Sequence, residues 1–281
     1  MNTIAFALSI TKNILVPTLV MLGISSVLGM LILVVSHFFS ITRNERRAAL
    51  LDALPGANCG GCGFAGCDAY ADYLLKPGAD TSLCSVGGAA CATEIASILG
   101  TEVKAPEPKV AVVHCQGTRD QTQPRFEYLG TQSCHAAHGL LGGFGSCTYG
   151  CLGFGDCMAA CAFGAMHLEN GIVHIDRMEC TGCGQCVKVC PKGLIALIPT
   201  RSTVEVRCRN EWPGAQTRKN CHIGCIGCGK CVRVCPSSAI KLKGSLAIID
   251  QNLCIHCDEC VKSCPTGAIA YLPLGPRPEK I

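Results

Sequence analysis

Eight cysteines recur in this chain at a constant offset of 74 positions, without a gap. Cys147, Cys151, Cys157, Cys161, Cys180, Cys183, Cys186 and Cys190 reappear as Cys221, Cys225, Cys231, Cys235, Cys254, Cys257, Cys260 and Cys264. Asp176 and Asp250, Pro191 and Pro265, and Pro199 and Pro273 keep the same register. A match of this length marks a duplicated domain, and each copy must fold around its cysteines.

The chain has 25 cysteines in 281 residues, which in a small secreted protein would suggest a disulfide scaffold. The spacing argues otherwise. Most cysteines sit two or three residues apart, and such neighbours are better placed to share a metal than to pair across a fold. Aromatic residues make up only 5%. Metal–thiolate bonds are therefore expected to carry part of the folding free energy, in a reducing compartment.

In the second copy, Cys225-x2-Cys228-x2-Cys231-x3-Cys235-Pro236 is followed by Cys254-x2-Cys257-x2-Cys260-x3-Cys264-Pro265. This resembles the bacterial two-cluster ferredoxin pattern, in which the fourth cysteine of each run ligates the other cluster. One [4Fe–4S] cluster is then expected on Cys225, Cys228, Cys231 and Cys264, and a second on Cys254, Cys257, Cys260 and Cys235. Zinc is the competing reading, because paired C-x2-C also spells a zinc ribbon. Two four-cysteine runs, each closed by proline, argue against it.

In the first copy, Cys180-x2-Cys183-x2-Cys186-x3-Cys190-Pro191 is intact, and with Cys161 it completes one cluster. The run "GCLGFGDCMAAC" has Phe154 where its copy has Cys228, leaving Cys151, Cys157 and Cys190. Cys147, four residues before Cys151, is the expected replacement, with Gly153 and Gly155 letting the loop rewind. The alternative is a lost cluster with Phe154 packed in its place.

Nearer the amino terminus, Cys59-x2-Cys62-x4-Cys67-x16-Cys84 lies in a glycine-rich stretch, "NCGGCGFAGC". Small residues let backbone amides approach a cluster and donate to its sulfurs, so a further [4Fe–4S] site is expected, with zinc again the alternative. About five clusters result. Five cysteines remain: Cys91, Cys115, Cys134, Cys208 and Cys221. Cys91, in the helical run "AACATEIASIL", reads as a small buried hydrophobe. Cys115 and Cys208 end strand-like segments ("VVHC", "VEVRC"). A cluster from Cys115, Cys134, Cys208 and Cys221 is arithmetically possible, with inert thiols as the default.

Ile14 to Phe39 contains no Asp, Glu, Lys or Arg and is long enough to cross a bilayer once, despite Pro17. Only Lys12 precedes it, whereas Arg43, Arg46 and Arg47 follow, so the positive-inside bias places the rest of the chain in the cytoplasm. The span has no Asp, Glu, Lys or Arg to carry an ion. From Cys186 to Lys243 there are eleven basic residues, Lys188, Lys192, Arg207, Arg209, Arg218, Lys219, Arg233, Lys241 and Lys243 among them, against Glu205 and Glu211. Such a face could steer an acidic redox carrier, or could simply be solvated surface. No phosphate loop, G-x-S-x-G, H-E-x-x-H or nucleic-acid motif is present, so the chemistry expected is electron transfer.

The expected class is α+β: a single N-terminal transmembrane helix (1–40), a small Fe–S domain (41–100), a linker (101–109) and two tandem ferredoxin-like two-cluster modules (110–200 and 201–281). With the anchor, "LPGANCGGCGFAGC" with Cys84, "YGCLGFGDC" and the duplicated runs together, the whole chain resembles the B subunit of the Rnf complex. Members of that family belong to a membrane-bound ferredoxin:NAD⁺ oxidoreductase coupled to sodium or proton transport. The resemblance implies a subunit that accepts electrons from ferredoxin and passes them to flavin- and cluster-bearing partners at the cytoplasmic membrane. The duplicated ferredoxin half departs from the family's shorter versions.

Overall fold

The computed structural model describes residues 3–38, 45–102 and 107–272. Arg43, Asn44, the centre of the expected linker (103–106) and Pro273 lie outside the described residues. The chain divides into two compact units, 1–48 and 49–281.

In the first unit, helix α1 runs from Thr3 to Phe38 with Pro17 inside it. Its segment Leu15–Ser36 has a mean hydropathy of 2.5 and is long and apolar enough to cross a membrane. Every side chain in that segment is exposed.

The second unit opens within α2 (Glu45–Ala53), which is followed by α3 (Cys67–Leu74) and α4 (Gly88–Leu99). Leu50 from α2, Tyr70 and Leu74 from α3, and Ile95 from α4 are almost fully buried in one small core. Burying each such side chain is worth roughly 1.5–3 kcal/mol, modest support for three short helices. Phe64 stacks on Tyr70 and meets Tyr73 at a tilt, packing against this core.

The rest is built from four two-stranded antiparallel sheets and short helices. The first module contains β1 (Lys109–Val113), α5 (Cys134–Gly139), α6 (Asp156–Ala159), β2 (Met166–Glu169), β3 (Ile172–Ile175), α7 (Gln185–Val189) and β4 (Ile195–Pro199). The second contains β5 (Val204–Val206), α8 (Gly214–Asn220), α9 (Lys230–Val234), β6 (Ile240–Lys243), β7 (Leu246–Ile249), α10 (Glu259–Ser263) and β8 (Ile269–Tyr271). β1 pairs with β4 and β5 with β8, closing each module on its own first strand; β2–β3 and β6–β7 are hairpins. Asn170 and Gly171 turn the β2–β3 hairpin with positive φ at both, which the tight turn demands.

"VAVVHC" forms the expected buried strand, but it ends at Val113, so Cys115 lies two residues beyond. Alternation gives β1 two buried faces. Ala111 and Val113 enter the core of the first module, while Val110 and Val112 meet Ile198 and Leu272. Leu272 comes from the end of the second module, so the two copies share packing at their junction.

Candidate metal centres

Twelve of the 25 cysteines line three cavities. Cys59, Cys62, Cys67 and Cys84 line one cavity of about 330 Å³ with Gly60 and Gly66. The Gly87 amide donates to Cys84 Sγ at 3.4 Å. A hydrogen bond from the Cys91 thiol is the main reason that Cys84 is pulled down to about 6, while Cys91 is pushed up. Cys91 is thus more than a buried hydrophobe: it stabilises charge on a neighbouring sulfur.

This site abuts the first module. A Cβ at Gly61 would lie 2.9 Å from the Cys183 carbonyl oxygen and 3.1 Å from Cys183 Cβ, so only glycine permits the approach. Gln185 Nε2 donates to the Cys59 carbonyl, and Lys188 Nζ to that of Gly60 at 3.4 Å. Around Cys183, burial followed by the nearby Cys180, Cys183 and Cys161 sulfurs pushes Cys186 up to about 12.

Beside the run containing Phe154, the structure gathers a thiol from another segment. A cavity of about 410 Å³ is lined by Cys134, Cys151, Cys157 and Cys190, together with Val113, Val173 and Leu194. Burial, then Cys151, Cys134 and Cys190, pushes Cys157 up to about 12. The Leu194 amide donates to Cys190 Sγ at 3.4 Å. Cys147, the expected replacement, is not in this wall. It lines the next cavity with Cys115, Cys208 and Cys221, and so exchanges places with Cys134 in the arithmetic of the sequence.

Phe154 shows why. Its ring packs on Tyr128 and Phe144 at centroid distances of 5.6 and 5.7 Å, beside Cys134, Ala137 and Leu152. The aromatic group holds the segment that delivers Cys134. Asp156 holds it too, accepting hydrogen bonds from the Cys134 amide (3.0 Å), the His135 amide (3.2 Å) and Ser133 Oγ (3.0 Å). Phe154 thus packs against the segment that carries Cys134.

In the second module, burial followed by Cys225, Cys228 and Cys264 raises Cys231 to about 11. Burial, then Cys254, Cys231 and Cys257, raises Cys260 to about 11. Cys235 packs against the same buried group as Cys254 and Cys260. Cys190, Cys235 and Cys264 each stand at a helix end in extended conformation, before a proline. Proline disfavours helical backbone in the residue before it, so each run stops winding there and its last thiol leaves the turn that holds the other three.

The thiols suit a group larger than one ion. Among the described residues, no three His, Cys, Asp or Glu side chains converge on a point that could hold a single metal ion. Thiols held protonated by burial give up their protons when such a group binds, which couples loading to pH and folding.

The basic face is partly internal. Arg207 is bonded to the carbonyls of Val113 and Cys115, and Lys192 to those of Gly142 and Thr148. Lys230, Arg233, Lys241 and Lys243 remain exposed in the second module, as do Cys228 and Cys257.

Residues 146–194 and 224–270 match a family described as a 4Fe-4S dicluster domain, and 179–240 match a second family of that description. Residues 54–86 match a putative Fe-S cluster family. Over 83% of its length the chain is 42% identical to the B subunit of the Na(+)-translocating ferredoxin:NAD(+) oxidoreductase complex of Acetobacterium woodii, covering 71% of that protein. It is 42% identical to the B subunit of the proton-translocating ferredoxin:NAD(+) oxidoreductase complex of Clostridium ljungdahlii, over 86% of each chain. It is 39% identical to the B subunit of an ion-translocating oxidoreductase complex of Methanosarcina acetivorans, over 83% of this chain and 88% of that one.

Proposed function

Because the chain belongs to the B-subunit family of the ion-translocating ferredoxin:NAD(+) oxidoreductase complexes, the Rnf complexes, we propose a role for each of its thiol sets. The protein is an Fe–S electron-transfer subunit of such a redox translocase and associates with the membrane. A [4Fe–4S] cluster, when bound, supplies a one-electron site whose potential is set by hydrogen bonds to sulfur, charge and exposure.

Five sets of ligands follow: Cys59, Cys62, Cys67 and Cys84; Cys161, Cys180, Cys183 and Cys186; Cys134, Cys151, Cys157 and Cys190; Cys225, Cys228, Cys231 and Cys264; and Cys235, Cys254, Cys257 and Cys260. The observation that carries this reading is the lining of the second cavity. Four thiols from three separate stretches meet there, although the regular run has lost one of its own.

The chain's residues also order the sets. Gly61 holds the amino-proximal site against Cys183. Within each module the two runs exchange their fourth ligands, which keeps the two sites adjacent. The second module offers exposed Cys228 and Cys257, with Lys230, Arg233, Lys241 and Lys243 on its surface. A small acidic donor of low potential, ferredoxin, is the partner such a surface steers into contact. Electrons then pass toward the amino-proximal site and on to flavin- and cluster-bearing subunits. Leu15–Ser36 has no ionisable residue, so the sodium or proton path belongs to other subunits. Lys12 before the span and Arg46 and Arg47 after it support a cytoplasmic location for the Fe–S domains.

The test is anaerobic analysis of the full chain in detergent. Iron and acid-labile sulfide in equal amounts, at about four of each per site, support the reading. Zinc without sulfide would overturn it.

A further inference from the structure

Cys115, Cys147, Cys208 and Cys221 are taken by none of the five sets, yet they line one partly open cavity of about 460 Å³ at the junction of the two modules. Cys115 and Cys221 are buried, and Cys147 and Cys208 are half-buried. A Cβ on Gly117 would stand 3.6 Å from Cys221 Sγ and 3.7 Å from Cys115 Sγ, so sulfurs from the two modules flank one point.

The duplication accounts for the pairing. Val113 faces Ile195 in the first module as Val206 faces Ile269 in the second. The His114 amide donates to Leu194, and the Arg207 amide to Ala268, its counterpart. Cys115 and Cys208 are therefore the same position in the two copies, and Cys147 and Cys221 are another such pair. Cys115 and Cys147 are 32 residues apart and Cys208 and Cys221 only 13, so the first module carries 19 extra residues between them. Cys134 lies within this longer segment.

The two copies meet symmetrically. His114 Nδ1 donates to the Val206 carbonyl at 2.8 Å, and Arg207 Nε to the Val113 carbonyl at 2.6 Å. His114 and Arg207 are counterparts, as are Val206 and Val113, so the contact is isologous in the manner of a two-fold dimer. Each module contributes one thiol just past its first strand and one four residues ahead of its first cysteine run.

The surroundings suit a sulfur-rich anionic group. The Cys151 amide donates to Cys115 Sγ at 3.5 Å, and its counterpart, the Cys225 amide, donates to Cys208 Sγ at 3.3 Å. Asn210 Nδ2 approaches Cys208 Sγ at 3.6 Å. Arg207 and Arg209 line the cavity, and the buried Nε of Arg209 has no hydrogen-bond partner among the described residues. A guanidinium N–H is always a donor, and a cluster sulfide or thiolate is an acceptor.

We propose that Cys115, Cys147, Cys208 and Cys221 bind a sixth [4Fe–4S] cluster that bridges the two modules. It rests on the reading that the neighbouring thiol sets hold clusters. Cys151 and Cys225, whose amides touch the site from opposite sides, are ligands in the flanking sets of the first and second module. The site thus fills the gap between the two modules, and Cys91 alone of the 25 cysteines is left without a cluster.

The experiment is anaerobic native mass spectrometry of the full chain in detergent, with metals measured in parallel. The highest-mass species of the wild type is expected to carry six [4Fe–4S] units, and those of Cys208→Ser and Cys221→Ser five. The wild-type count decides the matter even where a variant fails to fold. Five units in the wild type, or one zinc in addition to five clusters, would overturn the sixth site and leave the five-cluster reading standing. Absence of any Fe–S unit would instead overturn that reading.

Discussion

The Asp156 carboxylate accepts a hydrogen bond from the Cys134 amide at 3.0 Å, tying helix α5 to the cysteine run beside it. Through Ser133 and His135 the same carboxylate caps the start of that helix. Replacing Asp156 by Ala removes these bonds at a cost of about 1–2 kcal/mol and frees Cys134 to swing away. The variant is expected to fold and to lose one cluster more readily than the wild type when titrated with an iron chelator. Identical loss curves would contradict this role.

The exchange of Phe154 for Cys134 can be reversed. Cys134→Ser is expected to lose one cluster, and Phe154→Cys added to Cys134→Ser to regain it by restoring the regular run. Losing the Phe154 ring from the Tyr128–Phe144 group costs roughly 3 kcal/mol, so the double variant melts earlier even with its cluster restored. Iron counts and melting curves read the two effects separately.

Gly61 is a point of close approach between the amino-proximal domain and the first module. Gly61→Val forces its side chain into Cys183. The iron content is expected to stay unchanged while the magnetic coupling between the two neighbouring reduced clusters weakens in the EPR spectrum. Unchanged coupling would show that the contact does not set their spacing.

Charge at the second module governs encounter rather than chemistry. Lys241→Glu with Lys243→Glu is expected to slow reduction by ferredoxin about tenfold at low salt and to flatten its salt dependence. The screening length shortens to about 8 Å near 0.15 M salt, which weakens steering for the wild type as well. Stopped-flow rates across an ionic-strength series measure this.

Most of the architecture was legible in the sequence because cluster ligands obey spacing rules stricter than those of helices or strands. The 74-residue offset announced two modules, and the uncharged run from Ile14 announced the apolar helix. Cys134 also lies 74 positions before Cys208, yet strand register makes Cys115 the counterpart of Cys208, with 19 extra residues between Cys115 and Cys147. The useful signal was local: "VVHC" and "VEVRC" both place a cysteine just past a strand. Cys147 looked like the replacement for Phe154 because it is close in sequence. The aromatic packing of Phe154 and the Asp156 cap, neither of them readable from spacing, bring Cys134 instead.

An electron wire entered from ferredoxin must take electrons from ferredoxin. The decisive measurement mixes the full chain, in detergent and without oxygen, with an excess of photoreduced ferredoxin and counts the electrons taken up. Several one-electron equivalents per chain are expected, with bleaching of cluster absorbance and EPR signals of reduced [4Fe–4S] clusters. A chain that takes up no electrons from ferredoxin while carrying its full iron and sulfide would contradict the proposed role.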